Sequence, residues 1–252
     1  MRAGISSALA VFALTGLALA ADDLGPVKEQ AVRLYDQGKY AEALKTLVDL
    51  DNARALDGPL LYRLFFCEKA AGHDDSARKA LERAQVALED ELGASHSLEV
   101  AFYLANTYTN LGRAPDAKRV AQDATGKIES GAITVPKSAI AVFQVGKLYQ
   151  DQGRQVEATT YYVKAVDAFD LTDGRYVGNA RWALRYLGNN AFARSDFGAS
   201  EKAFARLAEI GGAEAADWET LAAARVRIGH YAPAAEAWKA VVKMSPVEAD
   251  DA

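Results

Sequence analysis

One six-residue phrase recurs six times along this chain. It begins at residues 38, 72, 112, 153, 195 and 229, so successive copies lie 34, 40, 41, 42 and 34 residues apart. The first copy reads Gly38-Lys39-Tyr40-Ala41-Glu42-Ala43, and the fifth replaces the glycine and the last alanine by Ser195 and Ser200. Units of this length bury their apolar faces against neighbouring units, so the spacing predicts a stacked solenoid.

Each unit has the pattern of two helices. An apolar-periodic segment ends at the glycine, which can adopt the left-handed conformation that stops a helix, and a second amphipathic segment follows within a few residues. Alanine and leucine dominate, β-branched residues are few, and no alternating strand pattern is present. The chain is therefore predicted to be all-α, with six helix pairs.

These units resemble the tetratricopeptide repeat. The last unit carries the most complete pattern: Trp218, Leu221-Ala222, Gly229, Tyr231, Ala234, Trp238 and Pro246. The fourth unit supplies Val145-Gly146, Tyr149, Gly153, Ala158 and Tyr162. The resemblance covers about residues 24–246 and implies a right-handed superhelix of about six antiparallel helix pairs. Small residues in the first helices are expected to let the two helices of a unit approach closely: Ala105, Gly146, Gly188 and Ala222.

The longer spacing after the second unit predicts a longer helix. Residues 84–97 continue the second helix of that unit before the next begins. This stretch resembles the long-helix repeats of kinesin light chains.

The two ends differ from the array. Arg2, an apolar run from Ala8 to Leu19 and the small residues Ala18 and Ala20 form the pattern of a secretory signal peptide. The run is shorter than the roughly 20 residues that span a bilayer, which disfavours an uncleaved anchor. We expect a signal peptide at 1–20, a repeat array at 21–246, an acidic tail at 247–252, and an exported, periplasmic protein cleaved between Ala20 and Ala21.

Charge and cysteine content narrow the function classes. The chain has 29 Lys and Arg against 34 Asp and Glu, a net charge of −5. Nucleic acids and anionic lipids reward clustered cations, so neither is an expected partner. Cys67 is the single cysteine, so stability must come from helix packing without an internal disulfide. We read Cys67 as a small apolar core residue.

Catalytic and metal-binding patterns are absent from the sequence. His73, His96 and His230 are widely separated and lie near predicted turns. The chain has no Gly-x-Ser-x-Gly motif, no phosphate-binding glycine loop and no His-Glu-x-x-His motif. We therefore expect no enzymatic activity, no cofactor and no metal.

Repeat register predicts which side chains face the concave groove, since the first helices line that groove in the resembling family. Aromatic and polar groups recur there: Tyr35, Tyr62, Phe66, Phe102, Asn106, Asn110, Phe143, Lys147, Arg185, Asn189 and Phe192. Aromatics at these positions are not needed for the core and could dock a peptide or helix, the alternative being that they pack against neighbouring helices. The polar band resembles the carboxylate clamp of peptide-binding members, although Phe102 and Arg185 replace its lysines.

These patterns predict a non-catalytic periplasmic scaffold or adaptor. It would bind a protein or peptide segment in its groove and serve assembly or regulation of a cell-envelope complex, as a monomer or weak homodimer. The alternative is a self-associating structural protein. Its last helix carries Trp238, Val242 and Met244 with no capping helix after it, so two copies could pair through that end.

Overall fold

The computed structural model describes residues 24–172 and 174–244. The signal peptide and acidic tail expected from the sequence lie outside these residues. Twelve helices make up the described part: α1 Gly25–Asp36, α2 Tyr40–Asn52, α3 Gly58–Ala70, α4 Asp74–Ser95, α5 Leu98–Asn110, α6 Ala114–Glu129, α7 Ala139–Asp151, α8 Gln155–Ala168, α9 Val177–Ala193, α10 Phe197–Glu209, α11 Ala215–Arg227 and α12 Tyr231–Met244. The all-α prediction is confirmed.

The helices pack as sequential pairs, and each pair is one copy of the repeat. Each odd-numbered helix packs on the even-numbered helix that follows it, and each pair packs on the next. Five of the six turns within pairs use a glycine at φ between +73° and +82°. The turn of the fifth pair uses Ser195 instead, at φ +61°. The left-handed residue lets the chain reverse within three residues, as the recurring phrase predicted.

Two small residues set the distance between paired helices. A Cβ at Gly146 would lie 2.8 Å from the ring of Tyr162, and one at Gly188 would lie 2.5 Å from the ring of Phe204. Both rings belong to the second helix of the same pair and are fully buried. The predicted role of these glycines in close helix approach is confirmed, because no larger residue fits there without a shift.

The long second helix of the second unit is also confirmed. Helix α4 runs for 22 residues and ends at Ser95, and the next residue, His96, adopts a left-handed conformation with φ +52°. Ser97 then begins α5, and its side chain accepts a hydrogen bond from the N–H of Val100. No helix of the described residues is long and apolar enough to cross a bilayer.

The odd-numbered helices α1, α3, α5 and α7 lie side by side and form one face of the array. The segment that leads into α9 returns to the start of this row. There the N–H of Tyr176 donates a hydrogen bond of 3.0 Å to the carbonyl of Asp36, at the end of α1. The fifth unit thus touches the first, and the face between them becomes a partly enclosed concavity.

Candidate functional site

Three connected cavities occupy this concavity. The aromatic hollow, about 740 Å³, lies between α1, α3, α5, α7 and the start of α9. The polar hollow, about 550 Å³, lies beside it and is bounded also by the α6–α7 connection. The N-terminal hollow, about 430 Å³, lies between α1, α3 and residues 175–176. Cavities of this size accommodate several side chains of a bound segment.

Six aromatic side chains line the aromatic hollow: Tyr35, Tyr40, Phe66, Phe102, Phe143 and Trp182. On one wall the rings of Tyr35, Tyr40 and Phe66 contact one another, with centroids 5.3–5.8 Å apart. On the opposite wall Phe143 and Trp182 meet edge to face at 5.8 Å. Phe66 is 37% exposed, so part of this aromatic wall is open to a partner.

The polar hollow is organised around Arg63 on α3. Its guanidinium lies 4.8 Å from the ring centre of Tyr103 and 5.6 Å from that of Tyr35. It also approaches Glu99 at 3.7 Å and donates to the carbonyl of Pro59 at 3.3 Å. The side chain is only 7% exposed. Cation–π contacts and one long ion pair therefore hold this buried charge in the wall of the cavity.

Asp36, the last residue of α1, borders all three cavities. Burial raises the pKa of its carboxyl group to about 6, Arg63 and Arg175 act in the opposite direction, and Glu99 adds to the rise. A raised carboxyl pKa means that the ionised form is poorly compensated where it stands.

Neutral hydrogen-bonding groups complete the concavity. Asn106 donates to the carbonyl of Phe102 at 2.8 Å, and its side chain borders both larger hollows. Burial raises the pKa of Tyr62 to about 12, so its hydroxyl stays protonated and accepts from Asn110 at 3.4 Å. Lys147 borders the aromatic hollow but is paired with Asp151 one turn later.

Seven of the eleven predicted groove residues line the two larger hollows. They are Tyr35, Tyr62, Phe66, Phe102, Asn106, Phe143 and Lys147. The expectation that all of the aromatics lie outside the core is wrong for two of them. Tyr62 and Phe143 are 8% and 4% exposed, because Tyr103 packs on the first and Tyr162 and Trp182 pack on the second.

The other four predicted residues border none of the three hollows. Arg185 is engaged by α11, with a contact of 2.6 Å to Asp217 and one of 3.0 Å to Glu214. Asn189 is exposed, and Phe192 packs on Phe197 with centroids 5.3 Å apart. Asn110 is also exposed and donates to Tyr62 from outside the hollows. The continuous polar band expected along the groove is therefore broken after Lys147.

Several residues of the concavity were not predicted. Asp36 lies two residues before the turn glycine of its unit. Asn110 and Asp151 occupy the same position in the third and fourth units, so the repeat register could have identified Asp36. Asn179 and Trp182 reach the hollows from the first turns of α9. The sequence offered no signal for these two, since their place depends on the contact between the fifth and first units.

The three histidines are exposed and lie at helix ends, as expected. His73 precedes α4 and contacts Glu68, whereas His230 precedes α12 and contacts Glu201. Within residues 24–172 and 174–244, no group of three potential metal ligands occurs. Cys67 is buried, and burial raises the pKa of its thiol to about 12, in line with the predicted core role.

Paired helices, left-handed turns and a concave row of first helices together define the tetratricopeptide-repeat fold. Solved structures share this architecture. PilF from Pseudomonas aeruginosa is 11% identical, with 88% of this chain and 91% of that chain covered and a TM-score of 0.55. PilW, a widely conserved type IV pilus biogenesis factor, is 15% identical, with 89% of this chain and 94% of that chain covered and a TM-score of 0.53.

MamA is 16% identical over 69% of this chain and 93% of that chain, with a TM-score of 0.50. At these identities the likenesses show the fold alone. No protein-family model and no curated protein sequence matches the chain.

Proposed function

We propose that this protein is a non-catalytic scaffold that binds a segment of a partner protein in its concavity. The observation that carries the proposal is the aromatic hollow, where aromatic side chains from six helices converge around about 740 Å³ and Phe66 stays 37% exposed. Exposed aromatic surface with a few polar groups is the usual construction of a peptide-binding groove.

Export to the periplasm is part of this proposal. Its support is the pattern of residues 1–20, and the test is the mass of the protein purified from the envelope fraction of a Gram-negative host. Cleavage after Ala20 leaves a chain that begins at Ala21. An intact N terminus, or retention in the cytoplasm, would contradict it.

We further propose that the partner belongs to a cell-envelope complex whose assembly or regulation this protein serves. Support comes from the signal-peptide pattern together with a fold shared with PilW, a pilus biogenesis factor. Fold similarity supports binding as the activity and leaves the choice of complex to experiment.

The binding proposal is tested by selecting peptides from a random display library on the chain Ala21–Ala252. Affinities of the selected peptides are then measured for the wild type, for Phe102→Ala and for Asn106→Ala. We expect each groove variant to weaken binding by about ten-fold or more, since each removes a contact worth roughly 1.4 kcal/mol or more. Phe102 is half-buried, so circular dichroism must show that this variant remains folded.

Trp238→Ala is the matched control. Trp238 is a similarly large aromatic, is 45% exposed on α12, and borders none of the three hollows. Equal weakening in this control, or the failure of any peptide to be enriched on the wild type, would overturn the binding proposal.

Self-association through the C-terminal end is the second candidate function. Trp238, Val242 and Met244 are 45%, 69% and 49% exposed on α12, the last helix of the described residues. Sedimentation of Ala21–Ala252 over a wide concentration range tests this alternative. A dimer that Val242→Ser dissociates would support it, and a monomer at every concentration would exclude it.

A further inference from the structure

The carboxylate of Asp36 is central to the concavity and has no partner among the described residues that line it. Asp36 borders the aromatic, polar and N-terminal hollows. Its backbone carbonyl accepts the hydrogen bond from Tyr176. No hydrogen bond or ion pair to its side chain is formed by any residue in 24–172 or 174–244. The charged form of this half-buried group is therefore only partly compensated.

The two cations that lower the pKa of Asp36, Arg63 and Arg175, are both held by other groups. Arg63 is held by the rings of Tyr35 and Tyr103 and by Glu99, its closest acid at 3.7 Å. Arg175 lies over the ring of Tyr176, 5.9 Å from its centre. Both influence Asp36 only through space, and both oppose the rise in its pKa that burial causes. A second acid, Glu99, lines the polar hollow and the N-terminal hollow, and its side chain is 53% exposed.

The walls beside Asp36 suit the aliphatic part of a long cationic side chain. Tyr35 immediately precedes it, and the aromatic hollow continues along Tyr40 and Phe66. Lysine and arginine place methylene groups on apolar surface while the charged end reaches a polar partner, and aromatic faces attract the cation itself. A carboxylate at the end of an aromatic wall matches this shape and charge.

We propose that the concavity selects segments carrying a lysine or arginine, whose cation pairs with Asp36 while a neighbouring apolar side chain fills the aromatic hollow. This inference rests on the proposed scaffold function and specifies the chemistry of its partner. It differs from the carboxylate clamp that the sequence resemblance suggested, because the polar group offered to the partner is an acid.

The test is a pair of parallel random-peptide selections, one on the wild type and one on Asp36→Asn. We expect lysine and arginine to be enriched at one position, next to an aromatic or leucine, in peptides selected on the wild type. On Asp36→Asn the basic enrichment should disappear while the apolar residue remains. The variant keeps the shape of the side chain and removes its charge, so the comparison isolates the ion pair.

Synthetic peptides then measure the effect. Each selected peptide is compared with a copy in which citrulline, the neutral analogue of arginine, replaces the basic residue. We expect about a ten-fold loss of affinity on the wild type and almost none on Asp36→Asn. Glu82→Gln removes an exposed carboxylate on α4 that borders none of the hollows, and it should behave as the wild type.

The outcomes separate the two proposals. Peptides that depend on Phe102 but show no basic enrichment, or that favour glutamate, would overturn the role of Asp36 and leave the scaffold proposal standing. Equal loss with citrulline on the wild type and on Asp36→Asn would also overturn it. If no peptide is enriched on the wild type, the scaffold proposal and this inference fail together.

Discussion

At the scale of single residues, ionisable groups in this chain serve two different purposes. Arg185 and Asp217 form a close pair that joins α9 to α11, so their charges are satisfied within the fold. Asp36 is close to cations but forms no ion pair with any residue that the structure describes. The first arrangement is expected of a residue that holds repeats together, and the second of a residue that is available to a ligand.

Replacing Asp36 by asparagine should change how stability depends on pH. The folded-state pKa of Asp36 is about 6, above its ordinary 3.8. The stability that this carboxyl group contributes is therefore fully present below about pH 4 and is lost as the pH rises through about 6. Because asparagine stays neutral, the variant should match the wild type near pH 4. At pH 7.5 the free energy of unfolding of the variant should exceed that of the wild type by up to about 3 kcal/mol.

Urea unfolding at a series of pH values measures this difference. Glu82→Gln is the control and should stay within about 0.5 kcal/mol of the wild type throughout. An Asp36→Asn variant less stable than the wild type at pH 7.5 would show that the carboxylate is compensated in the folded protein.

Arg185→Ala should destabilise the fold without affecting peptide binding. Removing the guanidinium leaves Asp217, 6% exposed, with only the N–H of Glu214 as a donor. We expect a loss of about 2 kcal/mol in free energy of unfolding, measured by urea titration. Arg119→Ala breaks an exposed pair with Asp116 and should cost well under 1 kcal/mol. Weaker peptide binding by a folded Arg185→Ala variant would contradict this prediction and show that Arg185 contributes to the groove.

At the scale of helices and pairs, the structure depends on a few close approaches. Apolar periodicity and the turn glycines determine where each helix begins and ends, and the small residues at Gly146 and Gly188 determine how closely a pair packs. Side-chain size at these two positions should therefore limit stability more strongly than helix propensity does.

Gly188→Ala tests this expectation. The new Cβ would lie 2.5 Å from the buried ring of Phe204, so the pair α9–α10 must separate or the ring must move. We expect a loss of about 1–3 kcal/mol in free energy of unfolding. Gly126→Ala is the matched control inside α6, where nothing lies within 4 Å, and it should gain about 0.5–1 kcal/mol. Stabilisation by both substitutions would show that the approach of α9 and α10 is looser than described.

Features that depend on residues within one helix pair could be predicted from the sequence. Helix order, the long α4 and the close glycines follow from local pattern, since each depends on residues within one unit. Register also predicts seven residues that line the hollows. Register predicts an open surface for Tyr62 and Phe143, because it gives the direction of a side chain but not whether Tyr103 or Trp182 covers it. Trp182 and Asn179 could not be found locally, since an inter-unit contact places them.

At the scale of the whole molecule, the two ends of the array are held differently. Helix α1 packs on α2 and α3 and is also contacted by Tyr176, about 140 positions later in the chain. Helix α12 packs chiefly on α11, and its large side chains stay exposed. Local opening is governed by such differences in contact.

Native-state hydrogen exchange should therefore show slower exchange in α1 than in α12. Amides of α12 are expected to exchange through local fraying, whereas those of α1 should open together with the units around the concavity. Mass spectrometry of peptides from the two helices measures this on one sample. Equal or faster exchange in α1 would indicate that the Tyr176 contact adds no protection.

The hydrogen bond between Tyr176 and Asp36 also bears on how a protein of this kind can change over time. Open solenoids tolerate the duplication or loss of a unit, because every unit meets only its neighbours. Here the fifth unit must arrive beside the first, and the concavity is bounded on that side only when it does. Losing one internal unit would leave well-formed helix pairs but no partly enclosed site. The number of units in this array is therefore constrained by the contact between the first unit and the fifth.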